Sequence, residues 1–125
     1  MVPLGKADLI LALEALEGLR ESAKAGKQTK ILINEYFLPF IGSLPREEIK
    51  KRLMAERGDF VFVDASKICK EKLGNEVVCA MYLLGFAICK KMIPLKAESV
   101  LRALEENIPK KYLDLNIKAF KLGYE

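Results

Sequence analysis

The sequence predicts an α/β protein with a small three-stranded parallel sheet and helices on both faces. Three short apolar runs, at residues 7–13, 31–33 and 60–63, alternate with amphipathic segments, which is the order of strands and crossover helices in a parallel sheet. The middle run, Ile31-Leu32-Ile33, is uncharged and largely β-branched, as is typical of a buried parallel strand. We therefore expect residues 29–37 to contain the central strand, and right-handed crossovers to place helices on both faces.

Length and composition indicate one domain without a nucleic-acid surface. The 125 residues suffice for a hydrophobic core, and 51% hydrophobic with 30% charged residues is typical of a globular chain. The 21 Lys and Arg residues exceed the 17 Asp and Glu residues, giving a net charge of +4. Because this excess is spread along the chain rather than interleaved with aromatics, it favours no nucleic-acid partner.

The residues that usually hold metals or act as nucleophiles are scarce. The chain has no histidine, which excludes Ser-His-Asp and Cys-His catalysis and most zinc sites. Cys69, Cys79 and Cys89 lack the close Cys-x-x-Cys spacing of cluster ligands. We expect buried reduced thiols, no metal in this chain and a cytoplasmic location.

No segment predicts a membrane span. The longest apolar run, residues 77–89, is shorter than the roughly 20 residues that a transmembrane helix needs. No basic region followed by an apolar region opens the chain, so we expect no signal peptide. The apolar run is interpreted as a core helix.

The helices of the first half follow from charge order and apolar spacing. Glu14 and Glu17 precede Arg20, an order that suits the helix dipole, and Gly26 is expected to end this first helix. A second helix is expected to bury Ile49, Leu53 and Met54 and to close near Gly58.

The segment between these helices, residues 38–45, carries two prolines and a glycine and is predicted to be an irregular loop. It is unusually apolar. Phe37, Phe40 and Ile41 are expected either to fold back onto the core, which is the favoured alternative, or to meet another chain.

The second half of the chain is predicted to be helical. Asp64 or Ser66 is placed to cap a helix over residues 67–73, and Gly74 to stop it. The apolar helix to Cys89 follows, and its central Gly85 predicts close packing against a neighbour. Two amphipathic helices, residues 96–107 and 109–122, are expected to turn these residues inward: Leu101, Leu104, Leu113, Ile117 and Phe120.

Polar residues follow each predicted strand and form the candidate site. Because parallel strands end at one edge of a sheet, where ligands and partners gather, these residues are expected to converge there: Glu14, Asn34, Glu35, Tyr36, Asp64 and Ser66. Capping is the favoured role of Asp64, and a solvated first-turn pair is favoured over an acid/base couple for Glu14 and Glu17. No Gly-x-Gly-x-x-Gly motif or phosphate-binding loop is present, and no residue is predicted to be catalytic.

Five blocks of the chain, at residues 7–17, 31–34, 63–65, 83–85 and 116–124, resemble in this order the gamma-type domain of the 2-oxoacid:ferredoxin oxidoreductases. Within that family they are most similar to the C-terminal part of the beta subunit of the indolepyruvate:ferredoxin branch. The most specific block is the closing Asn116-x-x-Ala119-Phe120-x-x-Gly123-Tyr124.

The resemblance implies an anaerobic, cytoplasmic, oligomeric complex that oxidatively decarboxylates a 2-oxoacid to an acyl-coenzyme A and reduces ferredoxin. It implies that thiamine diphosphate, iron-sulfur clusters and coenzyme A serve the complex, with no cofactor in this chain, and that the partner is a large thiamine-dependent subunit. Ferredoxin is then an indirect partner, and the isolated chain is expected to be inactive. The alternative is a stand-alone, non-catalytic binding or regulatory module that reuses the fold.

The family's domain also has a preceding half. Residues 1–125 are therefore expected to form a single α/β domain that resembles the second half of a Rossmann-like domain. This domain is expected to be a fragment of a larger one. In such a sheet, the first strand here would pair with a strand of the other half. Its edge, Leu9, Ile10, Leu11 and Leu13, carries no charge or proline. Since isolated proteins usually guard such edges, the chain alone is expected to self-associate.

Overall fold

The computed structural model describes residues 1–56 and 58–125. These residues group into two compact units, Met1–Asp64 and Ala65–Glu125. The first unit is α/β and the second is helical.

The first unit contains a three-stranded parallel sheet with strand order β1-β2-β3. Its elements are β1 (Ala7–Ala12), α1 (Ala15–Glu21), a 3-10 turn (Ser22–Lys24), β2 (Ala25–Asn34), α2 (Arg46–Ala55) and β3 (Asp59–Val63). Strand β2 lies in the middle, with Ile31 opposite Ile10 on one side and Phe60 on the other. The predicted α/β class and central strand are confirmed.

The core of the first unit forms between β2 and the helices that precede and follow it. Ile31 and Ile33 of β2 are fully buried and share a hydrophobic cluster with Ile49 and Leu53 of α2. Met54 was expected in this stripe, but it is 71% exposed. The prediction was wrong because each residue turns 100° around a helix, so the neighbour of Leu53 points away from the face that Ile49 and Leu53 share.

Gly26 was expected to end α1, and it does not. The helix ends at Glu21, a 3-10 turn follows, and Gly26 lies inside β2. A Cβ atom at Gly26 would collide with the backbone oxygen of Gly5. The glycine is therefore needed for close approach of two backbones rather than for a helix end.

The start of β2 is held by a buried threonine. The Thr29 hydroxyl donates to the backbone oxygen of Ala7 at 2.6 Å and accepts the N–H of Gly26 at 2.7 Å. The register with β1 shifts in this region, between Ala7 and Leu9. Thr29 thus satisfies backbone groups that the irregular pairing leaves without their regular partners.

The second unit consists of α3 (Ala65–Leu73), α4 (Cys79–Cys89), α5 (Ala97–Asn107) and α6 (Lys110–Tyr124). The four helices match the predicted ones closely. Helix α3 begins two residues before the expected start, so Ser66 lies within its first turn rather than before it. Gly74 ends α3 with a positive φ of 69°, and its N–H donates to the Lys70 oxygen at 3.0 Å, as predicted for a glycine stop.

The inward faces of α5 and α6 are those that the periodicity predicts. A hydrophobic cluster forms around Ile88, Val100, Leu104 and Phe120, and the other predicted residues pack against it: Leu101, Leu113 and Ile117. In the described part of the chain, no helix is long and apolar enough to cross a lipid bilayer.

Helices α4 and α6 meet through two glycines. A Cβ atom at Gly85 would collide with the backbone oxygen of Phe120, and one at Gly123 would collide with that of Tyr82. Backbone therefore packs directly against backbone, which only glycine permits. The close packing predicted from Gly85 is confirmed, and Gly123 is its counterpart.

We expect Gly85→Ala and Gly123→Ala each to lower the free energy of unfolding by about 2 kcal/mol or more, because backbone oxygens cannot yield without separating the helices. Gly74→Ala is the control. Nothing lies within 4 Å of a Cβ there, so only the cost of its positive φ, about 1 kcal/mol, applies. Urea denaturation measures all three; equal losses at the three positions would contradict the close packing.

Candidate functional site at the carboxyl edge of the sheet

The three parallel strands of the first unit end at the same edge of the sheet. Leu13 and Glu14 follow β1, Glu35 and Tyr36 follow β2, and Asp64 follows β3. We call this set, with Asn34 at the end of β2, the carboxyl-edge rim. It contains five of the six predicted site residues; the sixth, Ser66, belongs to α3 of the second unit.

Glu14 holds the start of α1 against the loop that follows β2. One carboxylate oxygen accepts the N–H of Glu17 at 2.8 Å, and the other accepts the N–H of Leu38 at 3.2 Å. Glu17 instead pairs with Arg20. Because the two acids have separate partners, they do not form an acid/base couple, and the capping role of Glu14 is one that sequence reasoning missed.

Asn34 joins the ends of β1 and β2. Its side chain is fully buried, and its amide donates to the Leu13 oxygen at 3.0 Å. The backbone continues this link, since the N–H of Ala15 donates to the Tyr36 oxygen at 2.9 Å. Asn34 is thus part of the framework, whereas Tyr36 is 41% exposed.

Two basic residues of α2 complete the rim, and sequence reasoning missed both. The Lys50 ammonium lies 3.1 Å from a Glu35 carboxylate oxygen and 5.4 Å from the centre of the Phe62 ring. The Arg46 guanidinium lies 4.4 Å from the centre of the Phe37 ring. Their four-residue spacing, which puts both on one helix face, was the signal that could have identified them.

The loop after β2 is irregular, as predicted, but only part of it folds back. Phe37 packs against the core cluster of the first unit, whereas Phe40 is 49% exposed and Ile41 is entirely exposed. The prediction that these side chains fold back onto the core is therefore confirmed for Phe37 and wrong for Phe40 and Ile41. Tyr36, Leu38, Phe40 and Ile41 form a run of exposed large side chains that we call the apolar loop.

The cysteines do not resemble a metal site or a nucleophile. Among the described residues, no group of three or more His, Cys, Asp or Glu residues could hold a metal ion. Burial raises the pKa of the Cys69 thiol to about 11, and the nearby Cys79 thiol adds to the shift. Since the thiolate is the reactive form, Cys69 is a poor nucleophile at neutral pH.

The first unit is thus a parallel α/β domain in which the rim carboxylates of Glu14 and Glu35 are engaged within the fold, by backbone N–H groups and by Lys50 respectively. The family model described as pyruvate ferredoxin/flavodoxin oxidoreductase matches residues 1–125. The chain therefore belongs to the pyruvate ferredoxin/flavodoxin oxidoreductase family.

Two curated relatives are named indolepyruvate oxidoreductase subunit IorB. The one from Methanothermobacter thermautotrophicus is 29% identical, with 99% of this chain and 66% of the relative covered. The one from Pyrococcus horikoshii is 34% identical, with 98% and 64% covered. The chain thus spans slightly less than two thirds of these relatives' length.

Solved structures show the same fold. The gamma subunit of a keto/oxoacid ferredoxin oxidoreductase from Geobacter sulfurreducens superposes with a TM-score of 0.69 at 19% identity, covering 96% of this chain and 63% of that one. The pyruvate oxidoreductase subunit PORC from Thermotoga maritima superposes with a TM-score of 0.63 at 18% identity, covering 94% and 61%.

We expect Asn34→Ala to lower the free energy of unfolding by about 2 kcal/mol, because it removes a buried amide and leaves the Leu13 oxygen without that donor. Tyr36→Ala is the matched change on the neighbouring exposed side chain and is expected to cost less than about 1 kcal/mol. Thermal unfolding of both variants tests this. A similar melting temperature for Asn34→Ala and wild type would contradict the framework role.

Cys69 is expected to resist iodoacetamide in the native protein at neutral pH and to react only after unfolding, whereas the partly exposed Cys89 reacts in the native state. The raised pKa of Cys69 also predicts the direction in which the free energy of unfolding changes with pH. Since folding favours the protonated thiol, Cys69 makes its full contribution to the free energy of unfolding below its ordinary pKa of 9.0. This contribution is lost as pH rises through about 11. Mass spectrometry of labelled peptides measures the first effect, and rapid labelling of Cys69 in folded protein would contradict it.

Proposed function

We propose that the chain is a subunit or domain of a cytoplasmic, anaerobic 2-oxoacid:ferredoxin oxidoreductase complex. The complex would oxidatively decarboxylate a 2-oxoacid, indolepyruvate in the first instance, to an acyl-coenzyme A and pass the electrons to ferredoxin. The observation that carries the proposal is the family match over residues 1–125. The IorB relatives, at 29% and 34% identity, support indolepyruvate as the substrate.

Within that complex the chain would have a binding role rather than a catalytic one. Glu14 and Glu35 are engaged by a helix N-terminus and by Lys50, so neither carboxylate is positioned as a general acid or base. Cys69 is buried with a raised pKa, and the described residues offer no three-ligand cluster. These donors do not fit an iron-sulfur cluster, so the proposal assigns thiamine diphosphate, the clusters and coenzyme A to the rest of the complex.

The carboxyl-edge rim and the apolar loop are the surface proposed to meet the large thiamine-dependent subunit. Leu38, Phe40 and Ile41 are 53%, 49% and 103% exposed, and burying such side chains is favourable by about 1.5–3 kcal/mol each. The exposed Arg46 lies beside this loop over the Phe37 ring. A mostly apolar patch with a charged border matches the usual anatomy of a subunit interface. Ferredoxin would then be reached only through the partner.

The proposal is tested by purifying the complex anaerobically through a tag on this chain. We expect the thiamine-dependent subunit to co-purify and the complex to reduce ferredoxin with indolepyruvate and coenzyme A, whereas the chain alone is inactive. A chain that stays monodisperse and never associates with such a subunit would instead support a stand-alone binding or regulatory module.

The proposed surface is tested with the double variant Phe40→Ser/Ile41→Ser. Because both side chains are exposed, it is expected to reduce co-purification at least tenfold while the melting temperature of the chain stays close to that of wild type. The control is Val77→Ser/Tyr112→Ser, which alters two exposed large hydrophobic side chains of the second unit, at 83% and 52%. Undiminished co-purification of the loop variant would exclude the apolar loop from the interface.

A further inference from the structure

The tip of the apolar loop is a defined turn. The N–H of Ser43 donates to the Phe40 oxygen at 3.0 Å, which closes a β-turn over residues 40–43. Gly42, the third residue of the turn, has a positive φ of 83°, whereas Ile41, the second residue, does not. This combination matches a type II turn, whose third residue needs the positive φ that glycine adopts without strain.

Ile41 occupies the corner of this turn, where the chain reverses. Turn corners usually carry proline, glycine or a small polar residue. Ile41 is instead a large aliphatic residue, and its side chain is 103% exposed. Because a β-branched side chain is stiff at χ1, the turn presents one rigid aliphatic group to the solvent.

The base of the loop is fixed on two sides. Toward α1, the Glu14 carboxylate accepts the N–H of Leu38 at 3.2 Å. Toward α2, the Arg46 guanidinium lies 4.4 Å from the centre of the Phe37 ring. Between the base and the tip, the ring of Pro39 restricts the backbone further. A loop that is held in this way loses little conformational entropy when it binds a partner.

We propose that Ile41 anchors the interface with the thiamine-dependent subunit by inserting into an apolar pocket of that subunit. Glu14, Gly42 and Arg46 are positioning residues that hold the loop in its binding conformation. The inference rests on the proposed function and adds the side chain that carries most of the affinity. Protein interfaces concentrate their affinity in a few side chains that fill pockets of the partner.

Charge indicates what borders the pocket of the partner. Arg46 is exposed beside the loop, and among the described residues no carboxylate pairs with its guanidinium. Lys50, on the same face of α2, already pairs with Glu35. Glu47 lies about 100° further around the helix and faces away from Arg46. A partner carboxylate would give Arg46 an ionic partner, so the complementary surface is an apolar pocket with an acidic border.

Titration of the protein into the purified thiamine-dependent subunit, under anaerobic conditions, tests the anchor. Ile41→Ser is expected to raise the dissociation constant roughly tenfold or more, because it removes the side chain that fills the pocket. Leu38→Ser is the matched change in the same loop, at a side chain that is 53% exposed. It is expected to raise the dissociation constant less than about threefold. Equal effects of the two variants would overturn the anchor role of Ile41, while binding of the wild type would leave the proposed function intact.

Two glycines test the turn separately from the cost of its backbone. Gly42 and Gly74 both have a positive φ, of 83° and 69°, and nothing lies within 4 Å of a Cβ at either position. Gly42→Ala is expected to raise the dissociation constant about fivefold, because it lowers the population of the binding conformation. Gly74→Ala has the same strain in the second unit and is expected to leave the affinity unchanged. Gly42→Asn is expected to restore affinity, since asparagine tolerates the positive φ; unchanged affinity of Gly42→Ala would overturn the role of the turn.

Salt tests the acidic border. Added salt is expected to weaken binding of the wild type and to weaken binding of Arg46→Gln less, because salt screens the ion pair that Arg46 forms with the partner. Lys51→Gln, which removes an exposed charge from the same helix, is expected to keep the salt dependence of the wild type. The same salt dependence for Arg46→Gln and the wild type would overturn the acidic border.

Thermal melting distinguishes the partner from any other covering of Ile41. The measurement uses the protein as it is isolated from its complex, so that any segment beyond residues 1–125 is present. Ile41→Ser is expected to keep the melting temperature of the wild type, because the side chain is exposed. A large fall would mean that Ile41 is covered within the protein itself and would overturn the proposal. A wild type that does not bind the subunit would overturn the proposed function, and this inference with it.

Discussion

The pairing of β2 with a strand on each side is the interaction on which the rest of the first unit depends. Ile31, Leu32 and Ile33 are fully buried, so their backbone groups have no access to water and must be satisfied by β1 and β3. Once β2 is fixed, its buried side chains position α2, and its last residue, Asn34, ties the end of β1. The rim is therefore a consequence of the central strand.

Most of the secondary structure could be predicted because it depends on the periodicity of apolar residues, which is visible directly in the sequence. The uncharged run at Ile31-Leu32-Ile33 predicted a central strand, and the spacing of Leu104, Leu113 and Phe120 predicted the faces of the last two helices. Gly85 predicted close packing because a glycine inside a helix needs a reason to be there. Each of these inferences uses residues near one another in the chain.

Met54 and the Glu14 cap were misjudged from local sequence, but the other errors and omissions arose where partners distant in sequence decide the outcome. Gly26 was interpreted as a helix stop, but a glycine is needed there because the backbone of Gly5 leaves no room for a Cβ atom. Lys50 appears as an ordinary surface lysine until the fold brings Glu35 to it, fifteen positions away. Asn34 was predicted as a residue of the partner or ligand rim, whereas the structure buries it as a framework group. That residues 1–125 form a single domain remains a prediction.

The spatial order β1-β2-β3 is also the order in which the strands are synthesised. Each new strand therefore adds beside the one made just before it, through a local crossover, so the first unit can assemble progressively as the chain leaves the ribosome. Every addition covers the edge that the previous strand left open. Among the described residues, β2 and β3 both lie on the same side of β1. During synthesis the three described strands therefore extend the sheet in one direction only, away from β1.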